Sequence, residues 1–205
     1  MNPSAGIGVK PKKPRDANKS QLTKNLRLKI ALPLVLIGIA WVQEAVDQFF
    51  FGGSFNLPIT PDGPLWTIFT APFSHANWGH LIGNTLAFIP LSYLVLLNGL
   101  NHYLAVWGCV LFFKLFILLL WPVGGHGMSG VIYGLLGYLF TIGLAERRLI
   151  SIALTVFAFV MYSGTLPSLL PWVSPPGVGW IGHLMGFLGG VVAALGMFRE
   201  EQKRA

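Results

Sequence analysis

Six apolar runs, each close to the length that crosses a bilayer, fill this chain from residue 30 to residue 197. A hydrocarbon core of about 30 Å takes about 20 helical residues to span. Backbone N–H and C=O groups inside lipid must also be satisfied within the chain, which leaves helices as the economical solution. The runs fall at roughly 30–50, 81–99, 103–121, 129–145, 149–167 and 180–197, and the breaks between them are polar or rich in Gly and Pro. The expected fold class is therefore an all-α polytopic membrane protein with six transmembrane helices. Composition agrees: 54% of the 205 residues are hydrophobic and 10% are charged, against roughly 25% charged in soluble domains. No linker separates the runs. One membrane domain, 30–197, is expected between a disordered basic arm, 1–29, and a short cytoplasmic tail, 198–205.

The formal net charge of +7 raises nucleic acid as a partner, but its distribution argues against it. Eight of the fourteen Lys and Arg residues lie in 1–29, before the first apolar run. A basic arm beside a membrane helix acts as a topology signal and a contact for anionic lipids. The remaining basic residues cluster at Arg147-Arg148 and at Arg199, Lys203 and Arg204, while the connections 51–80, 122–128 and 168–179 contain none. By the positive-inside rule both termini are cytoplasmic, in an expected plasma-membrane setting. The basic arm is too long for a secretory signal, and no small-residue cleavage site follows the first run, so that run is expected to remain as a helix. Lys114 is the exception, a cation inside the third run. It is read as structural, paired with Glu44 or Asp47, snorkelling, or facing a cavity. The single cysteine, Cys109, excludes an intramolecular disulfide and reads as a small packing residue.

Residue counting then brings polar groups in three different runs to one depth. At about 1.5 Å per helical residue, Ser129 lies roughly 27 Å from the cytoplasmic marker Arg147, and His183 roughly 24 Å from Arg199. Asn84 lies about 21–26 Å from the polar break at Asn98–Asn101. Ser129 opens its run after Gly124-Gly125-His126-Gly127, where helix N-terminal N–H groups can hold an oxyanion. Taken alone, Ser129 would be read as a helix N-cap. His183, Gly186 and Gly190 share one helix face, and Gly130, Gly134 and Gly137 mirror them in the fourth run. Small residues on facing helices permit close packing, which would bring His183 to Ser129. His80 and Asn84 are i and i+4 on one face of the second run, and both can donate hydrogen bonds. A metal site from His75, His80 and His183 lacks a carboxylate or an H-E-x-x-H pattern, so neither a metal nor a cofactor is expected.

His75-x4-His80-x3-Asn84, Gly127-Met128-Ser129-Gly130 and His183-x2-Gly186-x3-Gly190 occur in this order. Over residues 30–197 the chain thereby resembles the rhomboid family of intramembrane serine proteases. The resemblance implies a rhomboid-like bundle with a long first outer loop. It implies Ser129 as nucleophile and His183 as general base, and the Ser129 N–H, His80 and Asn84 as the oxyanion site. Gly127 matches the glycine before the nucleophile, and Tyr133 matches the aromatic residue that packs on the catalytic histidine. Two departures lie in the first outer loop, where Trp66-Thr67 stands for the family's Trp-Arg and a Glu-x-Arg pattern is absent. They bear on loop bracing rather than on chemistry.

The function so implied is hydrolysis of peptide bonds in or near transmembrane segments of membrane-protein substrates, near the outer face of the bilayer. The seven acids lie at 16, 44, 47, 62, 146, 200 and 201, which leaves none to orient His183 and points to a dyad. The connection Pro167–Pro176 is expected to act as a lid. The alternative is a catalytically silent relative that binds membrane helices as chaperone or adaptor, although such proteins usually lose the serine or the histidine. A transporter would show internal repeats, and none is visible.

Overall fold

The computed structural model describes residues 14–120, 124–174 and 179–204, with side chains from Leu22 onward. Helices α1 (Pro14–Phe50), α3 (Trp78–Asn98), α4 (Leu100–Leu120), α5 (Ser129–Glu146), α6 (Leu149–Tyr162) and α7 (Trp180–Arg204) carry the six apolar spans. A short α2 (Thr67–Thr70) and two 3₁₀ turns, Ala71–Phe73 and Ser163–Leu169, complete the elements. No strand forms among the described residues, only the isolated bridge between Ile59 and Gly125.

The first helix begins well before residue 30. Residues 14–29, expected within a disordered arm, are helical. Extending an existing helix fixes one residue per hydrogen bond gained and avoids the costly nucleus. Leu, Lys, Arg, Gln and Asn interspersed here offer no Gly or Pro to stop it until Pro14. The rest of the arm lies outside the described residues.

Helix α5 is the axis of the bundle. Of its span, 61% is buried, against 11% of the span 149–169. Tyr138, Leu135, Leu136, Leu139 and Ile142 are inaccessible and meet Phe88, Leu91 and Val95 of α3 and Tyr103 and Val106 of α4. Ile150, Val156, Val160 and Leu149 of α6 remain exposed, the pattern of a helix whose outer face meets lipid. α1 is tied to α3 by hydrogen bonds from Tyr93 Oη to the Ile30 carbonyl (2.8 Å) and from Trp41 Nε1 to Thr85 Oγ1 (3.1 Å).

The α5–α7 seam is built from backbone. A Cβ on Gly186 would lie 2.1 Å from the Gly130 carbonyl oxygen, one on Gly190 1.8 Å from that of Gly134, and one on Gly137 2.1 Å from that of Phe187. The glycine faces read from the sequence therefore do interlock. Cys109 is partly buried and packs against the core cluster, the role expected of it.

The long first loop is braced without an arginine. Thr67 is buried, and its hydroxyl donates to the Pro64 carbonyl (2.8 Å). Asp47 Oδ1 accepts the Phe55 N–H (2.5 Å). The buried Ser74 hydroxyl accepts the Leu57 N–H (2.9 Å), donates to Asn56 Oδ1 (3.1 Å) and lies 3.2 Å from His126 Nδ1. Asp47, Ser74 and the Ile59–Gly125 bridge thus pin the loop to α1 and to the glycine run that leads into the site.

Candidate active site

Two helix N-termini meet at the site. α5 starts at Ser129, with Met128 rather than Ser129 in the N-cap position and no side-chain cap. The Ser129 hydroxyl is therefore free of capping, and it lies 3.0 Å from His183 Nε2 in the first turn of α7. The N-cap alternative for Ser129 is thereby excluded. The glycine seam sets this distance, because it lets α5 and α7 approach at the level where both side chains emerge.

The other ring nitrogen defines the tautomer. His183 Nδ1 is 3.4 Å from the Ser168 carbonyl oxygen and from Ser168 Oγ. A carbonyl only accepts, so Nδ1 carries the proton and donates. Nε2 then keeps its lone pair and accepts from Ser129. The Tyr133 ring stacks on the imidazole at 4.4 Å between centroids and 27° between planes. Its hydroxyl donates to the Thr165 carbonyl (2.8 Å) and pairs with Ser168 Oγ. Among the described residues no carboxylate reaches His183, as expected from the positions of the acids. Ser168 and Thr165 had no signal in the sequence, where Thr165 falls at the end of the fifth apolar run and Ser168 in the connection after it. Of the connection expected as a lid, Pro167–Ser174 is described and braces the histidine and tyrosine; 175–178 lies outside the described residues.

His80 and Asn84 come from α3. Asn77 sets the start of that helix, its side chain accepting the His80 N–H (3.0 Å). Gly127 has φ +105°, and a Cβ there would lie 2.8 Å from His80 Cε1, 3.1 Å from His80 Nε2 and 3.5 Å from Asn84 Nδ2. Only glycine suits that backbone and that clearance. The side-chain donors of His80 and Asn84 thus converge beside Gly127, two residues before Ser129. The Ser129 N–H, in the first turn of α5, has no intrahelical acceptor. Asn84 Nδ2 is buried and has no partner among the described residues, a state that costs about 1–3 kcal/mol and marks a donor held in reserve.

Beneath the glycine run lies a histidine group. His75 is inaccessible, and its Nε2 accepts the Met128 N–H (3.4 Å). Its ring centroid is 5.1 Å from that of His80, which is 6.3 Å from that of His126. Burial, with His80 adding to it, pushes His75 down to about 4, and burial also lowers His126. A His75 value below its unfolded 6.5 gives stability that is complete above that pH and is lost as pH falls toward 4. Thermal stability in detergent should therefore drop by up to about 3 kcal/mol between neutral pH and pH 4. His75→Gln should flatten that dependence, and an unchanged slope would reject the assignment. Among the described residues no group of three His, Cys, Asp or Glu is arranged to hold a metal ion.

Ser129, His183, His80, Asn84, Gly127 and Tyr133 all line one cavity of about 780 Å³. Lys114 lines it too, and does not pair with Glu44 or Asp47 as one reading of the sequence had it.

Six spanning helices enclosing a serine–histidine pair define a multi-pass integral membrane protein with a polar site in its interior. The profile of the Rhomboid domain matches residues 62–200, and the chain belongs to the rhomboid family. That family holds intramembrane serine proteases and also inactive members. The chain is 32% identical to uncharacterized proteins of Mycobacterium tuberculosis and Mycobacterium bovis over 201 residues, covering 90% of this chain and 82% of theirs. It is 30% identical to an uncharacterized protein of Mycobacterium leprae over 216 residues, covering 98% of this chain and 82% of the relative. No solved structure matches it.

Proposed function

We propose that this chain is an intramembrane serine endopeptidase that cuts membrane-protein substrates in or near a transmembrane segment. The observation that carries the reading is the 3.0 Å contact between Ser129 Oγ and His183 Nε2, with Nδ1 facing the Ser168 carbonyl. In this reaction His183 takes the Ser129 proton as Oγ bonds to the scissile carbonyl carbon. The C–N bond then breaks, and His183 returns the proton to the leaving amine. Water, deprotonated by His183, attacks the acyl-enzyme and frees Ser129. The Ser129 N–H, His80 and the reserved amide of Asn84 stabilise the negative oxygen. No metal or cofactor enters.

A helical substrate hides its carbonyls in hydrogen bonds, so cleavable segments carry helix-weakening residues. The positive-inside pattern supports a site toward the outer face of the plasma membrane, both termini in the cytoplasm, and the basic arm on anionic lipid.

The test is co-reconstitution in liposomes with a single-span substrate bearing Gly and Pro near its outer end. Wild type should release the two halves and Ser129→Ala should not. Equal processing by both would sink the reading, and stable binding without cleavage would favour a silent helix-binding relative. Asn84→Ala should cut kcat by about 10²–10³-fold. Because its amide has no partner at rest, the same change should leave the melting temperature unchanged or raised. A fall in stability with unaltered kcat would contradict the oxyanion role.

A further inference from the structure

Lys114 is the only cation lying inside an apolar span between its basic ends, and it lines the cavity that holds Ser129 and His183. On α4 it continues the inward stripe Val110, Lys114, Leu118, opposite the exposed Phe112, Phe116 and Leu119. Val110 packs against the glycine seam and Leu118 against Ile59 and Ala71 of the first loop. Lys114 therefore projects from the wall between two packed contacts, into the catalytic cavity and away from lipid. Among the described residues it has no hydrogen bond and no ion pair. Neither acid offered as a partner by one reading of the sequence reaches it: Asp47 Oδ1 holds the Phe55 N–H, Glu44 Oε1 accepts the Gln48 amide (2.9 Å), and their second oxygens, buried and without a hydrogen bond among the described residues, make no ion pair with Lys114.

An ammonium in such a place lacks the counter-charge that would offset its desolvation. We propose that Lys114 is a specificity determinant, receiving an Asp or Glu side chain carried by the substrate segment within a few residues of the scissile bond. Lys114 faces the reaction chamber, so the carboxylate that reaches it arrives on the chain being cut. This assignment rests on the protease reading above. A charge pair at the cavity wall should discriminate Asp from its uncharged isostere by about tenfold or more in kcat/KM, one factor of ten being about 1.4 kcal/mol.

The experiment is a positional scan in liposomes. Asp, Asn and Lys are placed in turn at each of four residues on either side of the cleaved bond of one substrate. Wild type should prefer Asp to Asn about tenfold or more at one position. In Lys114→Met the ratio should fall to about one, and in Lys114→Glu the preference should turn to Lys. Monodispersity and melting temperature report whether each variant folds, and Lys114→Met, apolar and of similar length, keeps the test usable if Lys114→Glu does not fold. A flat scan in wild type, or an Asp preference that survives in Lys114→Met, would overturn the proposal. So would a rate that follows anionic lipid content through Lys114 with no substrate charge preference, since the counter-charge would then be a lipid phosphate. Loss of all cleavage together with absent fluorophosphonate labelling of Ser129 would defeat the protease reading itself. Labelling with a flat scan would defeat only the role of Lys114.

Discussion

His183→Ala is expected to lower substrate cleavage by on the order of 10⁶-fold, and Ser129→Ala by the same amount. The reason is that the two act as one unit. The Ser129 hydroxyl, 3.0 Å from Nε2, becomes a useful nucleophile only as its proton leaves, and among the described residues no other base lies against it. The double variant should then be no slower than either single one. Residual activity would come from the oxyanion donors and from binding, which neither change removes. Single-turnover rates on a reconstituted substrate measure this directly. Additive losses would mean that serine and histidine act independently, which the dyad does not allow. Ser168→Ala should have a far smaller effect, about tenfold or less, because the carbonyl facing Nδ1 is backbone and survives the change.

Gly190→Val should dismantle the bundle. A Cβ at Gly190 would lie 1.8 Å from the Gly134 carbonyl oxygen and 2.7 Å from the Tyr138 nitrogen. Both obstacles are backbone on the central helix, so no side-chain rotation can relieve them. α7 must move away from α5, separating His183 from Ser129 and opening the glycine seam between the two helices. A loss of about 3 kcal/mol or more is expected, read as a large fall in melting temperature in detergent and an aggregated elution profile. Gly38→Ala is the control. It lies in α1 with nothing within 4 Å of its added methyl, so the change should be neutral or stabilising by up to about 1 kcal/mol. Equal behaviour of the two variants would show that the glycine seam does not hold the bundle.

The six spans were legible because burial in lipid demands long apolar runs, and a twenty-residue run leaves few alternatives. Ser129, His183 and Asn84 were legible at one depth because counting along helices converts sequence position into depth, and His80 joined them through its i, i+4 spacing to Asn84 and the family resemblance. The glycine faces were legible for a related reason: periodicity fixes a face, and only small residues allow close approach. The groups that surround this framework were not. Ser168 acts through a backbone carbonyl, which any residue type supplies. Ser74 meets His126 across 52 residues and Leu57 across 17, Asp47 holds the Phe55 N–H, and no local pattern encodes such contacts. The start of α1 was missed because a polar, basic stretch reads as an unstructured arm, although a helix already formed beyond it extends at little cost. Of the alternatives read for Lys114, facing a cavity is the one the structure shows, and choosing among them needed the packing of α4 against its neighbours, which no local spacing encodes.

An activated serine inside the bundle is the central claim, and a fluorophosphonate probe tests it without any known substrate. Purified protein in detergent would be labelled beside Ser129→Ala and His183→Ala, with the modified residue mapped by mass spectrometry. The account predicts a single adduct on Ser129 in the wild type and none in either variant. Folded wild-type protein that takes no label, or His183→Ala protein labelled as fast as wild type, would contradict it.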